Sequence, residues 1–84
     1  MHPKKGHSYA VGAGTYVGEI FIFINEKQEE YEFISIPKNI NRYIPKDKFD
    51  VGLEYKILDY VGPIEPNVFE LLQKQFEFNK DSDK

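Results

Sequence analysis

The sequence predicts an α+β fold: a small antiparallel sheet of three or four strands covered by one or two C-terminal helices. Three observations point there. Residues 15–25 are dense in β-branched and aromatic side chains, as strands are. A polar break and a second alternating run follow, as in a hairpin. From Lys46 onward the apolar spacing changes to four residues, the period of a helix face. A five-stranded barrel with one terminal helix is the alternative, because Tyr55 to Val61 also alternates as a strand would.

With 84 residues there is room for one hydrophobic core, so residues 1–84 form a single domain. Residues 1–8 are basic and without apolar periodicity, which predicts a flexible arm. Tyr9 to Val11 can form a short leading strand, and Gly12, Ala13 and Gly14 permit a tight turn after it. In Glu19-Ile20-Phe21-Ile22-Phe23-Ile24 both alternating faces are apolar, the pattern of a central strand covered on two sides. Asn25 to Glu30 is the polar loop, and Tyr31 to Ile36 the returning strand. Pro37 ends that strand because it has no N–H for a ladder. Lys38 and Asn39 turn the chain, and Ile40 to Ile44 makes a third strand that stops at Pro45.

Phe49, Leu53, Ile57 and Val61 would line one face of a helix ending at Gly62 and Pro63, against which Gly52 costs about 1 kcal/mol in a helix interior. A last helix starts at Pro66, where a first turn tolerates proline, and continues to about Phe78 through Val68, Leu71, Leu72, Gln75 and Phe76. The polar tail 80–84 frays.

The chemistry-bearing residues argue against an enzyme. There is no cysteine, hence no disulfide framework, thiolate nucleophile or Cys-ligated zinc. His2 and His7 lie in the expected arm, where nothing would hold a catalytic tautomer or a metal geometry. Ser8, Ser35 and Ser82 stand in no nucleophile elbow. Gly12, Gly14 and Gly18 have the wrong spacing for a dinucleotide fingerprint and precede a strand rather than a helix. A carboxylate pair would require Glu19, Glu32, Asp50 or Asp59 to meet in space. No catalytic residue, cofactor site or metal site is expected.

Binding is the better expectation, through either of two surfaces. Seven phenylalanines and six tyrosines exceed what so short a chain can bury, and exposed tyrosine favours protein contact. Glu29, Glu30, Tyr31 and Tyr43 are the residues expected at such a contact, with another protein or a second copy as partner. The alternative is nucleic acid, held by the basic stretch that includes Lys38, Arg42, Lys46 and Lys48. A net charge of -3 and a single arginine weigh against that alternative. No apolar run approaches the roughly 20 residues of a membrane helix, and no signal-peptide pattern opens the chain, so a soluble, cytoplasmic protein without a membrane partner is expected.

The abundance of Lys, Ile, Phe, Tyr and Asn is what AT-rich codons produce. The run Asn41-Arg42-Tyr43-Ile44-Pro45-Lys46-Asp47-Lys48-Phe49, with the Gly-Leu and apolar spacing after it, resembles small accessory proteins of bacteriophages and prophages. That resemblance implies a host-directed binding or inhibitory role and carries no functional residue with it.

Overall fold

The computed structural model describes residues 2–72 and 74. The chain runs β1 (His7–Val11), β2 (Ile20–Glu26), β3 (Glu30–Ile36), β4 (Ile40–Pro45), α1 (Lys46–Glu54) and β5 (Leu58–Pro63). A second helix, α2, takes residues 66–72 and 74. All strand pairs are antiparallel, in the order β4-β3-β2-β1-β5. The α+β class stands, with five strands where three or four were expected. The sheet is open, with β4 and β5 as its edges, so the barrel alternative does not hold.

The doubly apolar β2 occupies the middle of this order, as its pattern requires. Phe21 and Phe23 go to one face, Ile22 and Ile24 to the other, and all four are buried. On the first face Phe33 and Tyr31 of β3, Tyr9 and Val11 of β1, and Leu58 of β5 join the phenylalanines in one cluster. Phe49 of α1 closes that cluster from above. Its ring stands edge-on to Tyr9 and to Tyr31, each at 5.3 Å, and stacks on Phe33 at 5.9 Å. Such ring pairs contribute about 0.5–1.5 kcal/mol each beyond the area they bury.

The helix expected across residues 46–61 splits into a helix and a strand. α1 keeps Phe49 and Leu53 on the core, but the chain leaves it at Tyr55 and turns through Lys56, whose φ is 62°. Ile57 and Val61 share the spacing of Phe49 and Leu53 without sharing their helix, and Leu58 enters the core instead. Gly52 explains why a residue unfavourable in helices stands there: a Cβ would come within 3.1 Å of Leu58 Cδ1.

Residues 2–8, expected as a loose arm, are held against the sheet. His7 and Ser8 belong to β1, the Gly6 N–H donates to the Phe23 carbonyl at 3.0 Å, and His2 Nδ1 bonds the Tyr31 hydroxyl at 2.9 Å. The Gly6 carbonyl accepts from Ile64 at 2.9 Å, and Phe69 of α2 packs where a Gly6 side chain would stand. Local composition did not show this because every partner lies far along the chain. The part of the last helix expected beyond Lys74, and the tail 80–84, lie outside the described residues.

Candidate functional site

Between α1, β4 and the loop joining β1 to β2 lies a groove of about 610 Å³. Local sequence builds each wall. Gly14 and Gly18, both at φ 91°, let residues 12–18 fold back so that Gly18 N–H reaches the Val11 carbonyl at 2.9 Å. That fold carries Tyr16 over the end of the sheet, its ring 6.2 Å from Phe21. Val51 and Gly52 of α1 form the opposite wall, Ile57 and Leu58 one end, and Phe21 and Ile44 lie in the lining between them. The lining is mainly apolar, with Arg42, Asp47 and Lys48 as its charged members.

Arg42 is fixed from two sides. Its guanidinium lies 3.9 Å from the Tyr16 ring centroid, a cation–π contact. Its Nε and Nη2 donate to the two Glu19 carboxylate oxygens, both at 3.2 Å. Glu19 is itself buried, accepts from the Ser35 hydroxyl, and has Lys38 Nζ at 3.6 Å. The hydrogen bonds from Arg42 and Ser35 hold its carboxyl below the usual range, aided by the Arg42 and Lys38 charges.

The basic stretch is thus largely paired within the molecule. Lys38 and Arg42 share Glu19, and Lys46 reaches Glu26 at 2.6 Å. Among the described residues Lys48 has no ion-pair partner, and its backbone N–H takes the Asp47 carboxylate at 3.0 Å. Of the residues expected at a protein contact, Glu29 is exposed in the β2–β3 loop and Glu30 is half-buried. Tyr31 is a core residue with its ring against Phe49, so it presents no surface. Tyr43 is half exposed; its hydroxyl donates to Glu32 at 3.3 Å and Lys27 lies over its ring.

Glu19 and Glu32 do not meet. They belong to opposite faces of the sheet, Glu19 bonded to Ser35 and Arg42, Glu32 to Asn41 and Tyr43. Asp50 lies on α1 and Asp59 on β5. Ser8 donates to the Gly62 carbonyl and Ser35 to Glu19, so neither hydroxyl donates to an imidazole. His7 pairs with the Tyr60 hydroxyl at 2.7 Å beside a smaller depression also lined by His2, Lys4 and Tyr9. Among the described residues no group of three His, Asp or Glu could hold a metal ion, and no helix is long and apolar enough to cross a membrane.

The edges of the sheet differ. β4 carries Asn41, Arg42 and Pro45 and is flanked by Lys38 and Lys46, features that discourage a further strand. β5 has Asp59 as its one charged residue and exposes Tyr60 by 50% and Val61 by 60%. Tyr55 and Ile57, just before it, are exposed as well, as is Val51 on α1. Sequence reasoning missed this surface because Ile57 and Val61 read as a buried helix face. The tyrosine excess was the one signal of it, without saying where. Comparison with protein-family models, with curated proteins and with solved structures finds no match, so the resemblance to phage accessory proteins assigns nothing.

Proposed function

We propose that the chain is a small non-catalytic, protein-binding module of accessory or regulatory kind, and that it takes an extended segment of its partner along β5. The observation that carries this is the β5 edge itself: an outer strand with Tyr60 and Val61 exposed and neither lysine nor arginine on it, regular through Leu58, Asp59 and Tyr60 and interrupted by a register break at Val61 before Pro63. An edge strand offers a row of backbone donors and acceptors that another strand satisfies, while alternate side chains give selectivity. Tyr55 and Ile57 extend the apolar contact beyond the strand.

Nucleic-acid binding is the second reading, and less charge is free for it than the sequence implied, since Lys38, Arg42 and Lys46 each have a carboxylate partner. The test is affinity recovery from native lysate at two salt concentrations, with and without nuclease, using the wild-type chain and Val61→Lys. Recovery of a stoichiometric protein that survives nuclease and is lost with Val61→Lys supports the edge. Recovery that depends on nucleic acid and weakens with Lys48→Ala overturns it in favour of the second reading. Light scattering on the purified chain identifies a second copy as the partner if the dimer dissociates on the same Val61→Lys change.

A further inference from the structure

We propose that the depression between the N-terminal segment, β1 and β5 binds a small tetrahedral oxyanion, either free or as the phosphoryl group of a monoester. This goes beyond the protein-binding reading, which does not need the depression although the two share Tyr60.

The lining supplies the first argument. His2, Lys4, His7, Tyr9 and Tyr60 enclose about 280 Å³, below the roughly 300–1,000 Å³ of drug-sized sites and suited to a smaller ligand. Each of the five carries a group able to donate a hydrogen bond, and no carboxylate is in the lining. Asp59, next to Tyr60 on β5, alternates to the opposite face of the sheet. Lys4 has no ion-pair partner among the described residues. A cation would find no counter-charge here, whereas an anion meets the Lys4 ammonium in a chain whose net charge is -3.

The second argument is that the donors are set in place. His7 Nδ1 bonds the Tyr60 hydroxyl at 2.7 Å, and the two rings stack at 21° with their centroids 5.8 Å apart. With the phenol donating to Nδ1, the ring hydrogen stands on Nε2, and protonation of the ring keeps it there. Nε2 is then a donor in both charge states. Tyr9 is only 5% exposed, and its oxygen accepts the Lys4 backbone N–H, which leaves the phenolic O–H to donate. Donors already ordered lose little entropy when a ligand arrives.

The third argument separates the two imidazoles. His7 shares the depression with Tyr60 of β5, Tyr9 of its own strand and His2 and Lys4 of the N-terminal segment, none of them acidic. His2 instead bonds Tyr31 at 2.9 Å, and around that phenol stand Glu26, Lys46 and Asp50. Two carboxylates thus offset a charge on His2, and none in the lining offsets a charge on His7. Anion binding should strengthen on acidification, through His7.

Sulfate is the probe, because it keeps its charge between about pH 5 and about pH 8, where imidazole titrates. Binding to the full chain is followed by amide and imidazole chemical shifts at both ends of that range. The expected result is saturable binding of one sulfate per chain, with shifts at Lys4, His7, Tyr9 and Tyr60. Affinity at the acid end should be higher by about fivefold, the upper end for an exposed ion pair. Lys4→Ala, an exposed change, should weaken sulfate by a similar factor, and His7→Phe, which keeps a ring against Tyr60, should remove the pH dependence. Phenyl phosphate is compared with sulfate at neutral pH: tighter binding assigns the site to a monoester, equal or weaker binding to the free ion. Absence of saturable binding, shifts spread over Lys48, Lys56 and the other surface lysines, or affinity indifferent to pH or to Lys4→Ala would each overturn the proposal. Lys4→Ala leaves β5 intact, so partner recovery with that variant should be unchanged, and failure of either reading leaves the other standing.

Discussion

Glu19 grips Arg42 through both carboxylate oxygens while Tyr16 covers the guanidinium face, so one buried acid sets the position of the only arginine in the chain. Three segments that are separate in sequence, the β1–β2 loop, the end of β3 and β4, meet at that carboxylate through Tyr16, Ser35 and Arg42.

Thermal stability should therefore depend on the ionisation of Glu19. Its folded-state pKa is depressed by Arg42 and Ser35 from an ordinary value near 4.5, so its contribution is present above that value and fades as pH falls through the lower, folded-state value. Glu26, depressed by its bond to Lys46, acts in the same direction. The measurement is the melting temperature against pH for wild type and Glu19→Gln. The variant should melt lower near neutrality, and the gap should narrow as the solution is acidified. A constant gap would mean that the carboxylate charge does not contribute.

Phe49→Ala should cost about 3–5 kcal/mol in urea denaturation, because it empties the position where one ring meets Tyr9, Tyr31 and Phe33 at once. Against total stabilities of about 5–15 kcal/mol for small domains, such a loss removes roughly a fifth of the total or more. A loss near that of a surface change would show that α1 does not close the core.

Gly52→Ala sets two effects against each other. Alanine improves helix propensity by about 1 kcal/mol, while overpacking a filled core typically costs about 1–3 kcal/mol. With the added Cβ 3.1 Å from Leu58 Cδ1 and Leu58 itself buried, the second effect should win. Denaturant midpoints of Gly52→Ala in the wild-type and Leu58→Ala backgrounds check it: the substitution should destabilise the first and be neutral or favourable in the second.

Val61→Lys should change stability by no more than about 0.5 kcal/mol, since the side chain it replaces is already 60% exposed, yet it should abolish association along β5. Retained association at full strength would place the contact elsewhere.

The β2–β3 hairpin was legible because Phe21, Ile22, Phe23 and Phe33 report burial on successive residues and need no distant partner to be read. The stretch 46–61 was only half legible. Phe49 and Leu53 do face the core from a helix, but the turn at Lys56 is marked by no glycine or proline, and Gly52 looked like a defect until Leu58 appeared against it. Charge reading found Lys38, Arg42 and Lys46 yet could not show their pairing with Glu19 and Glu26, which depends on strand register. The groove left no trace in local pattern, because Tyr16, Arg42, Val51 and Ile57 sit on four different segments.

The placement of β1 between β2 and β5 also orders the way this chain can assemble. Strands β2, β3 and β4 zip through short reversals, each closing beside the last. By contrast β5 meets the sheet only through β1, where Ser8 and Gly62, 54 residues apart, are joined by a hydrogen bond. Closing that long loop costs more entropy than either short reversal and defers its reward until β1 is in place. Amide protons of β2 and β3 should therefore survive longest in deuterated water, and those of β5 should exchange through partial openings in which the rest of the sheet stays intact.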